Sequence, residues 1–446
     1  MPPLTRTAEK AHDREILGLA VPAFLALVAE PLFLLADAAI IGHLGTAPLA
    51  GLGIAGAVIQ TAVGLCVFLA YGTTASVARR LGAGDRAGAL AQGVDGMWLA
   101  VIIGLVTTVA GVALTGPLVG LFGPSAEVAA QAESYLRWAF LGVTPLLLML
   151  AGTGVLRGLL DTRTPLIIAV AANLANIALN YLLVYGLDLG IAGSAIGTAL
   201  AQTCAAVAVV LVVLRGARRA GASLRPDRPG ILRAAHAGVA LVVRTLTLRA
   251  SLLVTTYAAA GLGATGLATY QLASTVWTFL AFALDAIAIA AQAITGRYLG
   301  AGDVAQTRTV TDRMVRWGLL SGVVTGLLLA AGAPFLGVLF TEDPAVRSAL
   351  WPALLVAALF QPVAGLVFVL DGVLIGAGDG KYLAWGGLAV FAVFAPVAVV
   401  VPALGHDVVS GLVWLWAAFG LLFMGGRAVV LLHRARGDRW LVTGAG

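Results

Sequence analysis

Hydrophobic positions fall into twelve long runs, at residues 16–42, 50–78, 92–116, 128–156, 164–186, 191–214, 234–260, 266–296, 312–337, 348–376, 383–403 and 408–433. Each run reaches the ~20 residues that a helix needs to cross the hydrocarbon core of a bilayer. Several are longer than a crossing requires, which predicts tilt, kinks or ends that project beyond the lipid. The pattern therefore predicts an all-α integral membrane protein with 12 transmembrane helices.

Between the runs, basic residues keep to alternate connections. Arg79, Arg80 and Arg86 follow the second run, and Arg157 and Arg163 bracket the turn after the fourth. Arg215, Arg218, Arg219, Arg225, Arg228 and Arg233 fill the mid-chain connection. Arg297 and Arg308 follow the eighth run, Lys381 the tenth, and Arg434, Arg436 and Arg439 the twelfth. On the other side only Arg347 breaks the absence of Lys and Arg. Because basic loops stay on the cytoplasmic face, both termini and the mid-chain connection are expected in the cytoplasm, with the chain multi-pass in the cell (inner or plasma) membrane.

The runs also repeat. Leu-Gly-Ala-Gly-Asp at Leu81–Asp85 recurs at Leu299–Asp303, and Gly154-Val-Leu-Arg-Gly-Leu-Leu-Asp161 recurs as Gly372-Val-Leu-Ile-Gly-Ala-Gly-Asp379. Gly45 with Leu49-Ala50 matches Gly263 with Leu267-Ala268, and Leu121-Phe122 matches Leu339-Phe340. All four pairs share one offset, which carries Asp85 onto Asp303. Six runs per repeat predict two parallel six-helix lobes about a pseudo-two-fold axis along the membrane normal. The expected organisation is an N-terminal six-helix lobe at 1–214, a cytoplasmic inter-lobe linker at 215–233, and a C-terminal six-helix lobe at 234–446. The Gly-Ala-Gly-Asp segments suit helix ends and tight turns, with Asp opening the next helix; a gating role stays open. No Lys-Ser/Thr follows them and no strand precedes them, so a phosphate loop is excluded.

Composition agrees. Of 446 residues, 60% are hydrophobic and 11% charged, against about 25% charged in soluble domains. A net charge of +6 would suggest nucleic acid in a soluble protein, but here the basic residues lie between apolar runs and set topology. Cys66 and Cys204 each sit inside an apolar run, with neither a disulfide framework nor metal spacing. His12, His43, His236, His406 and His433 fall near run ends or in connections, so no metal site and no cofactor is expected. The first run is too long for a signal-peptide core and reads as an uncleaved span.

Ionisable residues at membrane depth cost about 2.5–3.5 kcal/mol each on insertion scales, which makes each a functional candidate. Those deep in the runs are Glu30 and Asp37 in the first, Arg244 and Arg249 in the seventh, Asp285 in the eighth and Asp371 in the tenth. Glu133 and Arg137 lie nearer an outer end, whereas Asp95 and Arg427 lie near cytoplasmic ends, within reach of water. Glu30 and Asp37 are two turns apart on one helix face. Pro31 lies between them, removes a backbone hydrogen bond and predicts a kink. Asn173, Asn176 and Asn180 form an amide stripe, and Asp37, Asn180 and Thr198 come to similar depth. Two readings fit: a polar pocket around Asp37, or amides that bind helices together. Withdrawal from water favours the carboxylic acid and polar donors favour the carboxylate, so Asp37 is suited to load and release a proton. The second lobe carries Thr255 where the first has Asp37. There Arg244 and Asp285 are placed to form an ion pair, either structural or for selection and gating.

The run Glu30-Pro-Leu-Phe-Leu-Leu-Ala-Asp37-Ala-Ala-Ile-Ile-Gly-His-Leu-Gly45 resembles the first helix of the multidrug and toxic compound extrusion (MATE) family. Phe282-Ala-Leu-Asp285 through Gln292 and Val369-Leu-Asp371 through Gly378 look like its DinF branch, and the similarity spans all twelve runs. The resemblance implies no enzyme but a cation-coupled antiporter that expels amphipathic or cationic compounds by alternating access. It places cation or proton coupling at Asp37, Asn176, Asn180 and Thr198. The residues themselves add Glu30, Pro31 and Asn173 as accessory candidates, and Arg244, Arg249, Asp285 and Asp371 as polar or gating candidates in the second lobe. Asn180 stands where some members carry a carboxylate, which favours H+ over Na+, although an amide oxygen still ligates sodium. Expected partners are the lipid bilayer and the exported small molecules, with no nucleic acid, and the expected state is a monomer. A flippase for a lipid-linked precursor has related architecture and would need an interior basic groove, for which Arg244 and Arg249 supply little.

Overall fold

In the computed structural model, residues 6–404 and 407–445 are described; His406 lies outside the described residues. Among the described residues eleven helices are long and apolar enough to cross a membrane, and the bent pair α10 makes twelve when counted as one span: α1 (Lys10–Gly42), α2 (Thr46–Gly82), α3 (Arg86–Ala113), α4 (Ala126–Gly158), α5 (Arg163–Gly186), α6 (Gly190–Arg219), α7 (Arg228–Gly261), α8 (Gly263–Gly300), α9 (Val304–Phe340), α10 (Pro344–Leu359 with Gln361–Gly376), α11 (Gly380–Leu404) and α12 (Val408–Arg436). The two halves of α10 meet at 49°. No strand occurs among the described residues. A helix meets its backbone hydrogen bonds within itself, which lipid requires because it offers no partners. All but one of the helices enclose their predicted run. The exception, α3, stops at Ala113, ahead of a short helix at Thr115–Gly120.

The internal repeat is written in the backbone. Gly45 and Gly263 both have positive φ, 126° and 85°, and so do Gly84 and Gly302, 79° and 76°. Asp85 and Asp303 then cap α3 and α9, accepting from the amides of Gly88 at 2.7 Å and Gln306 at 2.9 Å. The Gly-Ala-Gly-Asp segments are thus turns that end one span and start the next. The break at Phe140–Gly142 in α4 has its counterpart at Phe360 in α10. One pair differs in residue type: Leu160 (φ 63°) holds the left-handed conformation that Gly378 (φ 77°) adopts at the equivalent turn.

The described residues form two compact units, one of residues 25–238 and the other of residues 6–24 with 239–404 and 407–444. The division runs through α1 and α7. Long-range contacts within each unit accompany it. Asp13 near the start of α1 holds Arg313 of α9 (Nη2–Oδ2 2.6 Å) and the indole of Trp317 (2.7 Å), and Glu15 pairs with Arg297 of α8. In the other unit, Asp95 of α3 is buried and accepts from the Asp227 amide at 3.0 Å, where α7 begins. Asp95 is thereby withdrawn from the water that its place near a helix end suggests.

α1 continues without a break through Pro22 and Pro31. The kink expected at Pro31 does not interrupt the helix, since proline removes one bond of the ladder and the rest persist. Large apolar side chains such as Val109, Ile167, Leu253 and Phe335 stay exposed on the protein, as lipid-facing positions do. Helices approach closely where glycines meet: a Cβ on Gly318 of α9 would lie 2.6 Å from the Gly365 carbonyl of α10.

Candidate functional site

Asp37 lies a turn before the end of α1 and is buried, with 3% of its surface exposed. Its Oδ1 accepts two hydrogen bonds, from Asn180 Nδ2 of α5 at 2.8 Å and from the Ser194 hydroxyl of α6 at 2.5 Å. Asn180 and Ser194 are themselves fully buried, and Asn180 Nδ2 also reaches Ser194 Oγ at 3.4 Å. One turn along each helix, Asn176 donates to Thr198 Oγ1 at 2.9 Å. Tyr135 of α4 is buried beside Thr198 and Ser194 and adds a fourth helix to the surroundings.

Local geometry explains these positions. Asn176 and Asn180, four residues apart, share one face of α5, as Ser194 and Thr198 do on α6. Gly197 of α6 lies directly against Asn180, and a Cβ there would collide with the amide oxygen. After Asn180 the helix widens into a π-turn at Leu182–Gly186, a local irregularity that frequently accompanies functional sites. The same turn brings the Tyr185 hydroxyl to the Ile40 carbonyl, which ties the end of α5 to that of α1.

Two oxygens at this site lack a protein donor among the described residues: Asn176 Oδ1 and Asn180 Oδ1. No Lys, Arg or His forms an ion pair with Asp37 among the described residues. An ionised carboxylate here is held by neutral donors alone, an arrangement that admits a proton or a small cation.

The structure thus brings together Asp37, Asn176, Asn180 and Thr198. Asn173 points elsewhere and donates to the Ala29 carbonyl of α1 at 3.2 Å. Glu30 is exposed and pairs with nothing among the described residues, and Pro31 is half-buried beside it. Ser194 and Tyr135 were missed. Serine and tyrosine at membrane depth carry no charge to mark them; for Ser194 the four-residue spacing from Thr198 was the available signal.

In the second unit Arg244 pairs with Asp371, an acid that its depth did not single out. Its Nε lies 3.3 Å from Asp371 Oδ1 and its Nη2 bonds Oδ2, a two-point contact between α7 and α10. Sequence depth alone could not separate two acids at similar height. Arg427 of α12 adds a third member, with Nη2 3.1 Å from Asp371 Oδ1, and it is buried where its place near a helix end had suggested water. Asp285 is half-buried and Arg249 exposed.

The MatE family model matches residues 22–182 and 240–401, once in each repeat. The Arabidopsis thaliana protein DETOXIFICATION 43 is 28% identical over 97% of this chain and 91% of its own length. The DNA damage-inducible protein F of Escherichia coli is 28% identical over 82% of this chain and 81% of its own, in accord with a DinF-like branch. Among solved structures, the Vibrio cholerae MATE transporter VcmN in the bent form superposes with a TM-score of 0.87 at 22% identity, over 96% of this chain and 98% of that one, and speaks to the fold alone. With both halves of a twelve-helix chain matched and the fold shared, the protein belongs to the MatE family of multidrug efflux transporters, which are not enzymes.

Proposed function

We propose that the protein is a proton-coupled antiporter that exports amphipathic, cationic compounds by alternating access, with Asp37 as the group that loads and releases the proton. One observation carries this reading: a carboxylate at membrane depth with 3% exposure, two neutral donors and no cationic partner among the described residues. Such a group gains little from ionising unless water reaches it, and the donors limit the cost when it does. It therefore exchanges a proton when access changes, with Asn176, Asn180, Ser194 and Thr198 shaping the surroundings. The arginine distribution supports a chain in a cell membrane with both termini cytoplasmic.

Sodium coupling is the second reading. It is favoured by the undonated amide oxygens of Asn176 and Asn180, which would complete an oxygen ligand set with Asp37. Proteoliposomes with separately imposed pH and sodium gradients, tested across a panel of cationic dyes, decide between them. Proton coupling predicts efflux driven by the pH gradient alone and lost in Asp37→Asn. Efflux that needs sodium, or that persists in Asp37→Asn, overturns it.

A further inference from the structure

The arginine-rich end of the unit at 25–238 holds a cavity that proton coupling does not use. It measures about 450 Å³, an ordinary size for a small-ligand site, and lies between the end of α2, the start of α3 and the connection that leads into α7. Arg80, Gln92, Asp95, Arg225, Asp227 and Arg233 supply its polar lining. The two acids are already engaged. Asp95 Oδ1 accepts from the Asp227 amide at 3.0 Å, and Asp227 Oδ2 accepts from the Gly230 amide at 3.0 Å. Arg80 is committed as well, through Nε to Gln92 at 2.5 Å and through Nη1 to Asp85 at 3.2 Å. The other two arginines keep donors to spare. Arg233 reaches Asp227 only at 3.7 Å, and the Arg225 guanidinium meets no acceptor among the described residues. The connection at 215–233 carries six arginines against one acid, Asp227, so its own segment does not offset the positive charge at the cavity.

α3 carries a second observation. Gly88, Ala91, Gln92 and Asp95 line the cavity from one face of this helix. At the same spacing of three or four, that face continues as Trp98, Ile102, Leu105 and Val109, which are between 40% and 67% exposed. The polar lining thus passes into an apolar stripe that runs along α3 into the depth of the membrane. Trp98 stands at the boundary, where its Nε1 donates to the Leu224 carbonyl of the connection at 3.5 Å. Indoles favour this level, with the ring in lipid and the N–H among the headgroups. A free phosphate ion would use the arginines and leave the stripe bare, whereas a phospholipid uses both. We propose that this cavity binds the headgroup of an anionic phospholipid, with Arg225 and Arg233 on the phosphate and an acyl chain along Trp98, Ile102 and Leu105. Guanidiniums take phosphate oxygens through paired N–H bonds, and basic pockets between helices recognise acidic headgroups in the same way.

The test uses the full-length protein, stripped of lipid in detergent, with dioleoylphosphatidylglycerol as probe. Dioleoylphosphatidylcholine has the same chains without net charge, and inorganic phosphate has charge without chains. Native mass spectrometry reads the affinity for each. The phosphatidylglycerol is expected to bind at least about tenfold more tightly than the phosphatidylcholine, and Arg225→Gln with Arg233→Gln should erase that preference. Arg218→Gln with Arg219→Gln removes the same charge from the same connection outside the cavity and should leave the preference intact. Trp98→Ala should weaken both lipids. All these side chains are exposed, and circular dichroism establishes that each variant is folded; Arg225→Gln alone serves if the double variant is not. Equal affinity for the two lipids, or a preference that survives the cavity pair, would overturn the proposal. So would an equal loss in the Arg218/Arg219 pair, which would mean surface attraction only. Displacement of the lipid by inorganic phosphate at equal affinity would make the site one for free phosphate and overturn it too. Binding needs no gradient, so its outcome is independent of proton-driven efflux.

Discussion

Removing the Ser194 hydroxyl is the sharpest test of how the Asp37 site works. The hydroxyl donates to Asp37 Oδ1 at 2.5 Å in a cluster where Asn180 supplies the other bond to that oxygen. A hydrogen bond to an ionised group contributes about 1.5–3 kcal/mol. Ser194→Ala therefore takes this from the carboxylate form, while the acid form loses less, because it does not depend on that donor. The sign follows: protonation becomes easier, and proton-driven efflux should persist to higher external pH. A difference of about 1.4 kcal/mol is one pH unit, so the midpoint should move up by about one unit, more if Asn180 does not readjust. The assay is dye efflux from proteoliposomes over a series of external pH values at fixed gradient, with Asp37→Asn as the inactive reference. A midpoint that stays in place while the maximal rate is retained would refute the reasoning, since either the bond would be worth little or Asp37 would not be the proton carrier.

Two further outcomes test the local geometry. Gly197→Ala should lose most efflux with normal expression, because its Cβ displaces the Asn180 amide that holds Asp37; a fully active variant would mean that Asn180 is not needed in that pose. Leu160→Gly should leave the melting temperature equal to or above that of the parent, because about 1–2 kcal/mol of left-handed strain is relieved against about 0.5–1 kcal/mol of added chain entropy; a clear drop would show that the Leu160 side chain contributes more than its backbone costs.

Much of the architecture was legible because it depends on local patterns with a physical period. Apolar runs longer than a bilayer is thick must become helices, so their number and placement follow from hydropathy. A six-plus-six repeat follows from residue identities at one offset, and the Asp85 and Asp303 caps follow from turn chemistry. The same logic picked out Asp37, since a carboxylate in lipid is conspicuous, and the i, i+4 spacing of Asn176 and Asn180 put them on one face.

Partnership between helices was not legible. That Ser194 joins Asp37, that Asn173 turns to the Ala29 carbonyl, and that Arg244 and Arg427 meet at Asp371 depend on rotations of helices about their own axes. Depth along a span is one coordinate, and a contact needs three. The division through α1 was hidden for the same reason: the acids at its start have partners on α8 and α9 nearly three hundred residues away, and only tertiary packing reveals them. The sequence by itself therefore determined the solvent of the fold, its helices, its repeat and its central acid, all set by burial and chain-local geometry. The tertiary structure alone decided which side chains share a hydrogen bond or a charge, because hydrogen bonds and ion pairs act over a few ångströms between helices whose facing no periodicity specifies.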